Sequence, residues 1–569
     1  MQPQHQTQRK GLHLGPWGIY FSAKLALYAE QAIGFHALEN LALALFVALP
    51  LRAPWLRRMR QAVALPLGLA LLYYDSWLPP VSRLLDRAAH LGDFSPAFVL
   101  EFVARFAEPG SLLVFVLLWG AYRLLRRVAR LDTMVMATLA ALSIHASLPA
   151  LSRPFLALGV QPTQAEEPPA PGTPAWSMLL DTRLRAFHTE EARRHVTLHA
   201  PAPDAVPFDV LFLHVCSLSW DDLDYAGLRN HPLFGHFQIL FRDFNSAASY
   251  STPAAVRLLR ANCGQPPHAA LGEPAPEGCY LFPSLARLGF ETQKVLNHDG
   301  RFDDFASRLT ENGLPEAPLN LSGLGAALHA FDGSPVYDDL QVLSRWWGRR
   351  LATEAPRVAA YYNTITLHDG NHPVRATGNM LGSRRSYPRR LRRLLDDLET
   401  FLRTLEAGAR PMMVILIPEH GAAMRGDRLQ IPGLREIPTP RVTRVPAAVA
   451  FIGARSVAGG PVLIDRPSSY LALSALLDRA LDSNVFGTGI FDPAALTADL
   501  PATPFVAENA GSVVIRQAGA YAVRLADEPW MPYPETPPLV ERIPAALRLT
   551  VFERRGPSLR DVSSPPARR

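Results

Sequence analysis

The chain predicts an N-terminal α-helical transmembrane bundle followed by an α/β domain with a mainly parallel central sheet, and three observations carry that expectation. Up to about Leu151 the 569 residues form apolar runs separated by arginine clusters, whereas beyond it short apolar runs alternate with polar, Pro/Gly-rich connections. Those short runs are rich in β-branched and aromatic residues and are separated by helical patterns, the rhythm of strands covered on both faces by helices. Cys216, His368, Glu419 and His420 fall at the carboxyl ends of the runs, where sheets of this kind bind ligands.

Taken in order, the candidate spans are Trp17–Phe35, Leu41–Trp55, Ala62–Leu78, Ser111–Leu125 and Met134–Leu151. Several are short for a hydrocarbon core of about 30 Å, so four or five helices cross. Arg52, Arg57, Arg58 and Arg60 lie between the second and third runs, and Arg123, Arg126, Arg127 and Arg130 between the fourth and fifth. With Arg9 and Lys10 also inside, the positive-inside rule places both loops in the cytoplasm and exports everything after Leu151. A cleaved signal peptide is not expected. Glu30 and Glu39 are the carboxylates noted in this half; a buried one points to function, although Glu39 also fits an interface. The formal charge of +6 is modest and the basic clusters flank apolar runs, so topology accounts for them and no nucleic-acid partner is expected.

Gln161–Trp176 (QPTQAEEPPAPGTPAW) is too rich in proline to pack and reads as an extended spacer, while Leu179–Arg194 has helical spacing. The strand candidates are Asp209–Ser217, Glu291–Asn297, Val358–His368, Met412–His420 and Val445–Gly453, with Arg389–Leu405 among the helical patterns between them.

Cys263 and Cys279 bracket a loop rich in proline and glycine, and in an exported domain they are expected to form a disulfide. Cys216 is left over. A buried core thiol is its plainer reading, but with His and Glu at neighbouring strand ends metal ligation is the better one. Asn245–Gly264 (NSAASYSTPAAVRLLRANCG) reads as a loop that delivers a hydroxyl to a helix start. Pro253 at the first helical position puts Ser251 or Thr252 at the N-cap, beside free N–H groups and the positive end of the helix dipole, a site suited to phosphate or sulfate. A lone Ser-x-Pro is more often an ordinary cap. Together Cys216, Ser251, His368, Glu419 and His420 offer S, O and N ligands suited to Zn2+, which lowers the pKa of a hydroxyl it holds.

The words HVCSLSWDDL, FNSAASYSTPAAVRLLRANCGQ, GCYLFPSL, FDGSPVYDDL, TLHDGNH, PEHGAAMRGDRLQIPGLREIP and PSSYLALSALLDRAL resemble the BcsG family of cellulose biosynthesis proteins. These are inner-membrane cellulose phosphoethanolamine transferases with a periplasmic, sulfatase-like domain of the alkaline phosphatase superfamily. The resemblance runs from about Leu12 to Pro534. It implies Ser251 as nucleophile, Cys216, Glu419, His420 and His368 as zinc-site residues with it, and a Cys263–Cys279 disulfide. His372 is then a proton donor or substrate contact. Arg435 and Tyr250 are phosphate-binding candidates, against the plainer readings of a surface ion pair and a packed aromatic. The resemblance further implies phosphatidylethanolamine as donor, the C6 hydroxyl of glucose in nascent cellulose as acceptor, and a cellulose synthase complex as partner.

The expected boundaries are a membrane domain over 1–155, a periplasmic linker with its helix over 156–205, a zinc-dependent transferase domain over 206–545 and a disordered tail over 546–569. Two segments depart from the family. VRATGNMLGSRRSYPRR is longer and more basic, either altering the acceptor groove or forming a surface loop, and the tail from Ala546 is an addition. A sulfatase is disfavoured because Ser251-Thr252-Pro253-Ala254-Ala255 has alanine where the sulfatase signature has arginine. A transferase acting on lipid A or another glycan, and a membrane scaffold of a polysaccharide synthase, are the alternatives.

Overall fold

The computed structural model describes residues 14–29, 33–76, 119–120, 122–125, 130–152, 169–374, 382–408, 410–427, 429–430, 432–526 and 528–533. Glu30, most of the Ser111–Leu125 run, the linker up to residue 168 and the tail from Ala546 lie outside the described residues.

Helices over Trp17–Ala29, Ala37–Ala48, Pro54–Asp75 and Leu131–Ser152 match four of the apolar runs, and the described residues of the Ser111–Leu125 run, 119–120 and 122–125, are helical too. Among the described residues no helix is long and apolar enough to cross a membrane. The 13 residues of Trp17–Ala29 rise only about 20 Å at the helical pitch, and the first turns of Pro54–Asp75 carry Arg57, Arg58 and Arg60. Phe21, Leu43, Ala44, Val47, Ala64 and Leu139 pack where these helices meet.

Glu39 is exposed; among the described residues the buried ionisable side chains of this half are instead Lys24, Asp75 and Asp132. Lys24 Nζ lies 2.5 Å from Asp75 Oδ2 and donates to Asn40 Oδ1 at 2.8 Å, while Asn40 Nδ2 donates to Asp75 Oδ2 at 2.7 Å. Three helices are thus joined by one buried ion pair whose charges are hydrogen-bonded, the condition under which such a pair is tolerated in apolar surroundings.

The second half is built on a seven-stranded sheet. Numbered in chain order, its strands are β1 (Asp209–Val215), β2 (Ile239–Asn245), β3 (Glu291–Leu296), β4 (Val358–Thr364), β5 (Met412–Leu416), β6 (Arg444–Ile452) and β7 (Val462–Ile464), arranged β7-β2-β6-β5-β1-β4-β3. Every neighbouring pair is parallel except those of β6, which runs antiparallel to β2 and to β5. The sheet is therefore mainly parallel, as expected, and all five strand candidates lie in it.

Alternate residues of β1 serve opposite layers. Val210 and Phe212 pack with Phe241, Leu258, Phe282 and Leu476, and Leu211 and Leu213 with Trp346, Leu394, Leu398 and Val414. A four-stranded antiparallel sheet over Val506–Tyr533 was not expected. The linker helix Pro174–Glu191, capped by the Thr173 side chain, buries Trp176, Leu180 and Leu184 against Val506, Ile515 and Trp530 of that sheet. Cys263 and Cys279 are disulfide-bonded.

The helix expected from Arg389 begins at Ser383 and runs to Ala407, so it takes in the second half of the basic segment; residues 375–381 lie outside the described residues. From Ser383 onward that segment is no surface loop. Arg390 is buried and donates to the carbonyls of Thr366 (2.6 Å), His368 (3.1 Å) and Ser383 (3.1 Å), and Tyr387 donates to the Ser217 carbonyl at 2.6 Å. Each carbonyl left without its donor costs about 1–3 kcal/mol. Arg390→Leu is therefore expected to lose more than about 2 kcal/mol in urea unfolding, whereas Ala at the exposed Arg389 should stay within about 0.5 kcal/mol of wild type.

Candidate active site at the carboxyl edge of the sheet

Two adjacent strands set the site. After β1 the chain turns at once: Cys216 is buried, its N–H held by the Thr364 carbonyl at 3.0 Å, and Ser217 adopts φ 66°. A left-handed non-glycine residue costs roughly 1–3 kcal/mol and persists only where its surroundings hold it; here Tyr387 and Arg435 hold its carbonyl and hydroxyl. After β5 the chain continues through Ile417 and Pro418 to Glu419, whose N–H bonds the Val215 carbonyl at 2.9 Å, and the His420 carbonyl accepts from Leu218 N–H at 2.7 Å. The pairing of β1 with β5 thus delivers Glu419 and His420 beside Cys216. Gly421 follows because a Cβ there would fall 2.5 Å from Ser219 Oγ.

The third arm comes from β2. Its chain leads through Tyr250, the N-cap, into the helix Ser251–Leu259. Ser251 is therefore the first helical residue and Pro253 the third, whereas the sequence predicts Pro253 as the first and either Ser251 or Thr252 as the N-cap. Proline fits either place, since N–H groups of the first turn have no helical partner.

Ser251 Oγ stands 3.4 Å from Cys216 Sγ and 3.4 Å from His420 Nε2, and Sγ is 4.0 Å from Nε2. Ligand atoms of Cys216, Glu419 and His420 all lie within 4.8 Å of one another. His420 Nδ1 donates to the Gly421 carbonyl at 2.9 Å, which leaves the Nε2 lone pair facing the cluster. Glu419 Oε1 accepts from Asn363 Nδ2 at 2.6 Å; Oε2, buried and without a hydrogen-bond partner among the described residues, is 3.7 Å from His420 Nε2.

Burial pushes the Cys216 thiol up to about 12 and the Glu419 carboxyl up to about 7, and holds His420 well below its ordinary value. With no cation the pocket favours thiol, carboxylic acid and neutral imidazole. A divalent ion reverses the first two preferences and uses the third. The orphaned carboxylate oxygen, the free imidazole nitrogen and the buried sulfur make a donor set that fits Zn2+.

Arg435 Nη1 donates to Ser217 Oγ at 3.1 Å and lies 3.2 Å from His420 Nδ1. Its backbone is anchored: Ser249 Oγ and Asn509 Nδ2 both donate to the Arg435 carbonyl. Tyr250 donates to Glu436 Oε1 at 2.5 Å, and its ring centre is 5.9 Å from the Arg435 guanidinium. His368 donates from Nδ1 to the Asp369 carbonyl at 2.7 Å, packs against Phe331 at 4.7 Å, and is pushed down to about 4 by burial. It is not one of the three residues grouped within 4.8 Å. His372 sits on a two-residue strand paired with His329.

His231, Asp396 and Glu399 also approach one another. His231 Nδ1 accepts from Leu233 N–H and Nε2 faces Asp396 at 3.0 Å, so both ring nitrogens are occupied and the group reads as a hydrogen-bonded pair rather than a metal site. Residues that sequence reasoning passed over are Ser217, Asn363 and Asn509, together with His214. Burial pushes His214 down to about 3, and its Nδ1 lies 3.5 Å from Glu419 Oε1. None carries a spacing signal; an asparagine inside a buried strand is legible only once the strand's neighbours are known.

Among protein families, residues 17–144 match the cellulose biosynthesis protein BcsG N-terminal domain and residues 164–530 the BcsG C-terminal domain. Over 550 residues the chain is 40% identical to the cellulose biosynthesis protein BcsG of Salmonella typhimurium and 38% identical to that of Escherichia coli, in each case across 92% of this chain and 96% of the relative. A solved structure, the integral membrane protein lipooligosaccharide phosphoethanolamine transferase A of Neisseria meningitidis, aligns over 81% of this chain and 94% of its own at 13% identity and a TM-score of 0.38. Matched in order by both domains of one family, and by full-length relatives, the chain belongs to the BcsG family of cellulose biosynthesis proteins.

Proposed function

We propose that this protein transfers phosphoethanolamine from phosphatidylethanolamine to the glucose C6 hydroxyl of nascent cellulose, through Ser251 at a zinc centre. The observation that carries the reading is the approach of Ser251 Oγ to both Cys216 Sγ and His420 Nε2, 3.4 Å each, at a helix start. Cys216, Glu419, His420 and Ser251 would hold Zn2+, with His368 as a further candidate. When bound, the ion supplies Lewis acidity that lowers the pKa of a hydroxyl it holds.

Ser251 Oγ forms its bond to phosphorus as the phosphorus–oxygen bond to diacylglycerol breaks, and the proton that leaves Oγ ends on the diacylglycerol oxygen. The sugar hydroxyl then takes the phosphoryl group, and a proton returns to Oγ, with His372 as the carrier. First-turn N–H groups and the Arg435 guanidinium offset the phosphate charge, and Tyr250 keeps that guanidinium in place. Solid-state detection of phosphoethanolamine on cellulose made with and without the protein tests the whole reading; cellulose equally modified in both would overturn it.

The same proposal assigns 1–155 to the inner membrane, 156–205 to the linker and 206–545 to a periplasmic transferase domain that acts beside a cellulose synthase complex. A periplasm-active reporter fused after Trp176 is expected to work and one fused after Arg60 to be silent. Reporters that agree would mean the number of crossings is wrong by an odd number.

A further inference from the structure

We infer that His298 and Asn363 form a hydrogen-bonded relay that turns Glu419 toward the metal, which makes both of them positioning residues for the centre proposed above. The inference rests on the zinc reading but concerns residues that touch neither metal nor substrate.

The relay has a fixed direction. Gly300 N–H donates to His298 Nδ1 at 3.1 Å, so Nδ1 is an acceptor and the ring proton sits on Nε2. That proton is donated to Asn363 Oδ1 at 2.8 Å. Asn363 is fully buried on β4, and its other end donates from Nδ2 to Glu419 Oε1 at 2.6 Å and to the His214 carbonyl at 3.1 Å. Reversing the amide would set Nδ2–H against the imidazole N–H and Oδ1 against a carboxylate and a carbonyl, so one orientation alone satisfies every group. With Oε1 engaged, Oε2 is the oxygen left facing His420 Nε2.

The loop that supplies His298 also reaches the nucleophile's helix, since Thr252 Oγ1 donates to Asp303 Oδ2 at 2.6 Å. One loop therefore supports the carboxylate ligand through Asn363 and the residue after Ser251 through Asp303.

Loss of a partner that orients a metal ligand typically weakens metal binding by about 10- to 100-fold. The test uses the full-length protein in detergent, stripped of metal and titrated with zinc against a chromophoric chelator. Asn363→Leu and His298→Ala are expected to bind zinc about 10- to 100-fold more weakly than wild type. His298→Gln should stay within about threefold, because its amide N–H stands where Nε2–H stood. Thermal unfolding of the zinc-free forms separates orientation from folding: both variants leave buried partners unpaired and should unfold at a somewhat lower temperature without zinc, and the relay requires a loss of zinc affinity larger than that loss of stability accounts for, in protein that is still folded. Wild-type affinity in Asn363→Leu and His298→Ala overturns the relay and leaves the zinc reading intact. Equal weakening by His298→Ala and His298→Gln, or weakening that only tracks a lower zinc-free unfolding temperature, overturns it in favour of packing against Phe305, whose ring centre lies 5.7 Å from that of His298. A wild-type protein that binds no zinc overturns the zinc reading itself, and the relay with it.

Discussion

Ser251→Ala is expected to abolish phosphoethanolamine transfer, by about 10⁴-fold or more as for other enzymes stripped of a nucleophile, while the fold and the zinc content stay close to wild type. Alanine suits the first turn of a helix, and Cys216, Glu419 and His420 still converge. A double displacement also requires a covalent stage. Incubation with phosphatidylethanolamine and no acceptor, followed by digestion and mass spectrometry, should place the phosphoethanolamine adduct on the peptide containing Ser251. The neighbours are separable. Ser249 faces the Arg435 carbonyl and Asn509, and Thr252 faces Asp303, so Ser249→Ala and Thr252→Val should keep the adduct. Persistence of the adduct in Ser251→Ala would move the nucleophile to a neighbour, and fast transfer with no adduct would favour direct displacement by the sugar.

The second large effect is on the metal. Wild type should carry one zinc per chain, and a Cys216→Ser, Glu419→Ala double variant should carry almost none. Serine keeps the volume of Cys216 but offers a hydroxyl, a far poorer ligand than a thiolate, and the Glu419 variant removes the oxygen that has no hydrogen-bond partner among the described residues. The loss should exceed the roughly 100-fold set by an outer-shell partner. Because zinc must displace protons held on Cys216 and Glu419, binding should also weaken as pH falls. Equal zinc in wild type and in the double variant, measured by elemental analysis, would sink the assignment.

What could be read from the residues divides along physical lines. The runs that became β1, β4, β5 and β6 are continuous because those strands are buried on both faces or nearly so, while β3, at the sheet edge, is buried only over its last three residues. β2 was missed because Arg242 interrupts it with an exposed position, and β7 because it has only three residues. The reversed direction of β6 leaves no mark on its own composition; it depends on how the chain from Gly421 to Thr443 returns across the sheet. Cys216, Glu419 and His420 were legible because a thiol, a carboxylate and an imidazole at strand ends are uncommon. Lys24 and Asp75 were not, although both lie in predicted spans. Only their contact across three helices distinguishes a satisfied pair from charges at a margin. The basic segment after His372 looked peripheral until the early start of its helix turned Tyr387 and Arg390 inward.

The position of β5 between β1 and β6 also sets an order of events for a chain emerging from the amino terminus. Cys216 emerges 204 residues ahead of His420, and the pocket that shelters its sulfur does not exist until β5 has been inserted between its two neighbours. During that interval three thiols travel together, and two of their three possible pairings capture Cys216 in place of joining Cys263 to Cys279. Pairing strands so distant in sequence is slow, whereas thiolate exchange proceeds wherever a thiol is accessible. Yield of active protein in an oxidising compartment is then a race between strand insertion and mispairing. Disulfide isomerisation acts within that race, returning Cys216 from a mispaired bridge as it restores Cys263–Cys279, whereas a metal bound by Cys216, Glu419 and His420 would protect the sulfur only after β5 is in place.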